Sequence, residues 1–301
     1  MNRRRLLALA PYAALACAPL FWSGNVVVGR ALREAVDPIA LNLYRWSIAG
    51  LLVLPLAVRP LWRHRAELLR GWPVIVGLGV TGLAGFQTCV YYAVRDTEAL
   101  SALLILQATP VVILLGAAAL YGDRITPRRA LAVAIAASGA LVLIARGDPA
   151  RLATLAFNRG DAWMLAAVAL WASYSLLLKR RPPALPQTAL LAGSIVVGLA
   201  ILLPAWWFTG GPAARPPLSR EALYGVLYIG VFASFLAFLC WNTGVARLGP
   251  GTAGTFIYLM PLYGAVLGYL LLGEGIAGYH LAGAALIFGG LALLRRPRPV
   301  D

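Results

Sequence analysis

Arg45 stands about seven residues into an apolar run, in Leu41-Asn42-Leu43-Tyr44-Arg45-Trp46-Ser47. A guanidinium facing a water-filled cavity there could hold a carboxylate or phosphate through its planar fork. It could equally snorkel to the interface as a structural group. Elsewhere polar and aromatic residues recur at helical spacing. Gln87 and Tyr91 are four apart, as are Phe238 and Asn242, with Trp241 beside them. Trp22 and Asn25 are three apart, as are Trp171 and Tyr174, and Gln107 and Tyr258 each precede a proline by three. Residues three or four apart share a helix face. The chemistry these types offer is noncovalent binding of a small-molecule substrate, although each could also serve interhelical hydrogen bonding or aromatic packing. No nucleophile, base and oxyanion-donor set converges and no two-histidine metal motif is present, so neither an enzyme nor a cofactor is expected.

The elements that must position these residues are membrane helices. The 301 residues are 61% hydrophobic and only 12% charged, with a mean hydropathy of +0.79, far too apolar for a soluble domain of this size. The runs are long and continuous rather than alternating, which excludes a barrel and predicts an all-α polytopic membrane protein in a lipid bilayer. Ten spans are expected, near 6–29, 39–58, 72–94, 99–121, 130–146, 162–178, 187–208, 222–246, 252–272 and 276–294. The first follows Arg3-Arg4-Arg5 and runs on through Phe21, Trp22 and Val28 without a convincing processing site, so it reads as a retained span.

A formal charge of +15 would suggest nucleic acid in a soluble protein. Here nearly all basic residues stand between apolar runs, as cytoplasmic loops require, and no nucleic-acid partner is expected. With the amino terminus inside, seventeen basic residues fall on inner segments and eight on outer ones. Both termini are then cytoplasmic. Cys17, Cys89 and Cys240 lie in apolar runs without metal-ligand spacing and read as packing residues.

The chain reads as a duplication. Pro110, Asp123 and Gly139 stand 151 positions before Pro261, Glu274 and Gly290, while Trp22 and Asn25 align with Trp171 and Tyr174 at an offset of 149. Each half holds five spans, and an odd number forces the second half to cross in the opposite sense, giving an inverted repeat. The stretches from Pro110 to Gly139 with Gly122-Asp123, and from Pro261 to Gly290 with Gly273-Glu274, together with the opening Phe21-Trp22-Ser23-Gly24-Asn25, resemble the EamA-like branch of the drug/metabolite transporter superfamily. The resemblance covers nearly the whole chain, with repeats over residues 1–150 and 157–296. It implies a ten-helix carrier of the bacterial inner membrane that exports or exchanges small metabolites, amino acids and their derivatives among them, by alternating access. A carrier of phosphate- or lipid-linked metabolites is the alternative, and a non-transporting scaffold or intramembrane enzyme a remote one.

Three further expectations concern helix ends and kinks. Asp123 and Glu274 are expected to cap the helices that follow them, with proton binding as the alternative. Pro110 and Pro261 are expected to kink their helices. Gly264 and Gly268 have the GxxxG spacing that permits close helix contact, which leaves monomer and homodimer both open.

Overall fold

In the computed structural model the described residues, 3–32, 36–97, 99–153, 157–211, 219–272 and 277–294, form helices and turns and no strand. The helices are α1 (Arg3–Leu32), α2 (Pro38–Arg63), α3 (Trp72–Asp96), α4 (Ala99–Leu106), α5 (Thr109–Tyr121), α6 (Pro127–Ile144), α7 (Arg159–Leu177), α8 (Gln187–Thr209), α9 (Arg220–Leu248), α10 (Pro250–Thr255), α11 (Leu259–Leu272) and α12 (Gly278–Leu294), with single turns of helix as connectors. Among the described residues seven stretches are long and apolar enough to cross a membrane: α2, α3, Leu104–Tyr121, α6, Arg159–Arg180, α8 and α9. The shorter α12 is also apolar. The protein is an all-helical, multi-pass membrane protein.

Helix starts follow local chemistry. The Asp37 carboxylate accepts from the amides of Ile39 and Ala40 at 2.9 and 3.3 Å, with Pro38 in the first helical position of α2. The Ser219 hydroxyl accepts from the amide of Ala222 to start α9. At α7, Asn158 and Asp161 form a reciprocal capping box. Asp161 is buried and also accepts from the Thr97 hydroxyl, tying the start of α7 to the end of α3. The expectation for Asp123 is corrected: the α6 cap is Thr126, whose hydroxyl accepts from the amide of Arg129, while Asp123 pairs with Lys179 at 2.6 Å. Gly122, left-handed at φ +65°, ends α5 just before it. Glu274 lies outside the described residues.

Two long helices widen locally. Gly79–Gly85 of α3 and Ile229–Leu236 of α9 are π-helical, which turns backbone carbonyls away from the regular ladder. Two other helices are broken rather than kinked. Between α4 and α5 the chain turns at Gln107 and Ala108, and between α10 and α11 it tightens to a 3-10 turn at Phe256–Tyr258. Each break lies just upstream of its proline, where the missing amide and the ring's clash with the preceding turn disfavour a continuous helix.

Packing is close where glycines allow it. A Cβ on Gly139 would lie 2.7 Å from the Gly283 carbonyl and 2.9 Å from Ile287. One on Gly290 would lie 2.6 Å from the Ala132 carbonyl and 2.8 Å from Ala136. So α6 and α12 touch backbone to backbone. Gly264 does not behave as expected, since a Cβ there would meet nothing within 4 Å. Elsewhere α1 packs on α9 and α11, α7 on α3 and α5, and α2 on α8. The outer surface carries exposed Leu51, Leu54, Leu270, Leu281 and Phe288, which suits lipid contact, with Trp62, Trp72 and Trp207 exposed nearer the helix ends.

Candidate functional site

The middle of the bundle holds a cavity of about 50 Å³. Trp22 and Asn25 of α1, Gln87 of α3 and Trp171 of α7 line it, together with apolar groups from α4 and from the 3-10 turn before α11. Aromatic rings form its wall. Trp171 stacks on Tyr174 with centroids 5.0 Å apart, and meets Trp22 edge-on at 5.0 Å. Phe238 and Trp241 each lie 5.4 Å from Trp171. Gly82 makes this possible: a Cβ there would be 2.1 Å from the Tyr174 ring, so only glycine lets the π segment of α3 reach it.

Several buried polar atoms in this region find no hydrogen-bond partner among the described residues. They are Asn25 Oδ1, both amide atoms of Gln107, Ser175 Oγ, Trp241 Nε1 and Tyr258 Oη. Tyr258 is fully buried and Gln107 is 5% exposed. An unsatisfied buried group costs about 1–3 kcal/mol, and native proteins carry few of them. Gln107 and Tyr258 occupy the two helix breaks, where the backbone is also irregular.

The twelve residues singled out from the sequence fall into three sets. Trp22, Asn25, Gln87 and Trp171 line the cavity, while Phe238 and Trp241 back it. Gln107 and Tyr258 are buried at the breaks, and Tyr174 donates to Asn242 Oδ1 at 2.7 Å. Arg45 and Tyr91 form the third set, off the cavity. Arg45 is 1% exposed, so it neither snorkels nor faces open water. Its Nε donates to Ser234 Oγ at 2.7 Å, Nη1 to Tyr91 Oη at 3.2 Å and Nη2 to the Ala233 carbonyl at 3.3 Å. Its guanidinium also lies 5.4 Å from the centre of the Trp46 ring.

Residues that sequence reasoning passed over explain this placement. Asn42 donates to the carbonyls of Leu83 and Ala84 and to Thr88, and Trp46 Nε1 also donates to Leu83. These carbonyls belong to the π segment of α3, as Ala233 and Ser234 belong to that of α9. The face of α2 bearing Asn42, Arg45 and Trp46 therefore fastens both π segments at once. Their i, i+3, i+4 spacing was the available signal. Trp22 joins the same arrangement, donating to the Ala233 carbonyl at 3.1 Å.

The two ends of the bundle differ. Beside Tyr91 and Arg95 the described residues line a crevice of about 10 Å³. At the opposite end a chamber of about 610 Å³ opens between Tyr12, the α5–α6 turn and the end of α9. Tyr12 on its wall lies 6.4 Å, centroid to centroid, from Phe256, which is bonded to the cavity-lining Ile257.

A model of the EamA-like transporter family matches residues 9–145 and 158–296. The chain is 29% identical over 283 residues to a protein of Streptantibioticus cattleyicolor named "Probable terminal-alkyne amino-acid exporter", covering 94% of this chain and 92% of that one. It is 29% identical over 282 residues to a "Probable biotin transporter" of Pseudomonas aeruginosa, covering 90% and 93%. A solved crystal structure aligns with a TM-score of 0.75 over 95% of this chain and 96% of that chain at 23% identity, a likeness of fold.

Proposed function

The chain belongs to the EamA-like transporter family, and from that membership we propose that it is a secondary transporter of small metabolites working by alternating access. The cargo class is amino acids or related compounds, moved across the bacterial inner membrane by export or exchange. One relative's name, a terminal-alkyne amino-acid exporter, supports that class. The architecture assigned is ten spans in two inverted five-helix repeats, residues 1–150 and 157–296, with both termini cytoplasmic. Matched features support it. The breaks at Gln107 and Tyr258 are 151 positions apart, and Gly139 meets Gly283 and Ile287 just as Gly290 meets Ala132 and Ala136.

The observation that carries the reading is the central cavity with unpaired polar atoms beside it. At about 50 Å³ it is much smaller than the roughly 300 Å³ at which small-molecule sites begin, so a solute enters only when the helices part. On this reading the structure is the inward-facing form. The arginine-rich chamber faces the cytoplasm, and the outer side is held shut by α2 across both π segments. Trp22, Asn25, Gln87, Gln107, Trp171 and Tyr258 contact the solute, while Tyr174, Phe238, Trp241 and Asn242 shape the wall. Arg45 and Tyr91 act as the outer closure.

Reconstitution in liposomes with counterflow of labelled amino acids tests the proposal. Wild-type protein accelerates exchange of at least one of them, and the Gln107→Ala, Tyr258→Phe double variant loses about tenfold or more, as removal of two hydrogen bonds to substrate implies. Full activity in a properly inserted double variant would remove the central site.

A further inference from the structure

The 610 Å³ chamber has a charge distribution that topology alone does not require. Arg124 comes from the α5–α6 turn, Arg128 and Arg129 from the first turn of α6, and Arg247 from the last turn of α9. The one carboxylate that the described residues place on the wall, Asp123, is engaged by Lys179. Among the described residues Arg124, Arg129 and Arg247 pair with no carboxylate. A preference for basic loops on one side of the membrane explains how many arginines lie at this end. It does not explain their convergence on one cavity.

The local electrostatics are also unfavourable as they stand. The start of a helix carries the positive end of its dipole, where anions are favoured and cations opposed. Yet α6 begins Pro127-Arg128-Arg129 with no acidic residue in its first turn. Arg247 has a further cation near it beyond the chamber lining, Arg181, whose pKa is lowered by burial first and then by the Arg247 charge. Arg124, Arg129 and Arg247, gathered around one cavity with the described carboxylate engaged by Lys179, are relieved by an anion between them.

We propose that this chamber is an oxyanion-binding site for a phosphate group, held by Arg124, Arg129 and Arg247 with Arg128 on the same wall. The fork of each guanidinium suits two phosphate oxygens. The group can come from a soluble phosphate or from the headgroup of an anionic lipid entering from the surrounding leaflet. The proposal concerns binding alone and stands whatever the central site carries.

The test uses full-length protein in nanodiscs. Inorganic phosphate is titrated calorimetrically against protein in neutral phosphatidylcholine discs, and retained phosphatidylglycerol is counted by native mass spectrometry from anionic discs. Saturable phosphate binding identifies a soluble source, and retained phosphatidylglycerol without phosphate binding identifies the headgroup. In either case the Arg124→Gln, Arg247→Gln variant weakens binding by about tenfold or more. The Arg63→Gln, Arg65→Gln variant, equal in charge but off the chamber, stays within about twofold by the same reasoning. A measurement on unmutated protein stands beside these: the bound group slows phenylglyoxal modification of Arg124 and Arg247 and leaves Arg63 unaffected. The proposal fails if neither probe binds, if both double variants lose equally, or if Arg124 and Arg247 are not protected.

Discussion

Asn25 and Tyr91 in the first half correspond to Tyr174 and Asn242 in the second, the same two side chains in exchanged order. Only the second pair is hydrogen-bonded; Tyr91 is instead bonded to Arg45, and Asn25 Oδ1 is left alone. Tyr174→Phe, which removes only the hydroxyl, is therefore expected to cost about 1 kcal/mol in the present form, read as a lower midpoint of thermal unfolding in detergent. Arg45→Ala is expected to cost more, about 2–3 kcal/mol, because a buried charge-assisted hydroxyl contact and two further bonds are lost together. If Arg45→Ala leaves the unfolding midpoint unchanged, its assignment as a fastening group is wrong. Spacing and repetition were enough to single out Trp22, Asn25, Gln87 and Trp171, since polar groups stand out in apolar runs. They could not reveal what Arg45 bonds to, because its partners include a carbonyl freed by a π turn in a distant helix.

At the scale of elements, glycines separate contacts that must be close from those that need not be. Gly139→Val and Gly290→Val place side-chain atoms where the facing backbone already lies within 3 Å, so each is expected to destabilise by about 1–3 kcal/mol or prevent assembly. Gly264→Ala meets open space and, with glycine removed from a helix interior, is neutral or slightly stabilising. Guanidinium-free unfolding or size-exclusion recovery would register the difference. Pro110 and Pro261 marked where these helices would depart from regularity, because proline restricts the residue before it, but the expected kinks are full breaks. The π segments were not legible, since of Gly79, Gly82 and Gly85 in α3 only the first recurs as glycine in α9, where Gly230, Ala233 and Leu236 stand 151 positions on. The Asp123 expectation failed for a local reason: the chain needs three more residues before α6 begins, which gives the cap to Thr126 and leaves the carboxylate within reach of Lys179.

For the whole molecule, membrane character and the repeated pattern follow from hydropathy and matched positions, whereas the difference between the two ends required coordinates. Buried Asp161 is committed to a helix cap, and no other acidic residue is buried among the described residues. Exchange across liposomes is accordingly expected to persist when a pH gradient is collapsed with a protonophore, and abolition of exchange would return attention to a titrating carboxylate. Cysteines introduced near either terminus should react with impermeant maleimide only from the cytoplasmic side. The fastening face of α2 has no equivalent in α8, where Leu191, Ser194 and Ile195 stand at the corresponding positions and the Ser194 hydroxyl is spent on its own helix. If the carrier alternates as proposed, that asymmetry favours one end state, and the empty protein is expected to rest mostly with its inner mouth open. A ligand's apparent affinity falls with the fraction of molecules able to receive it. The same solute would thus half-saturate the carrier at a lower concentration from within than from without, while its final gradient, fixed by the driving force alone, would be unaltered.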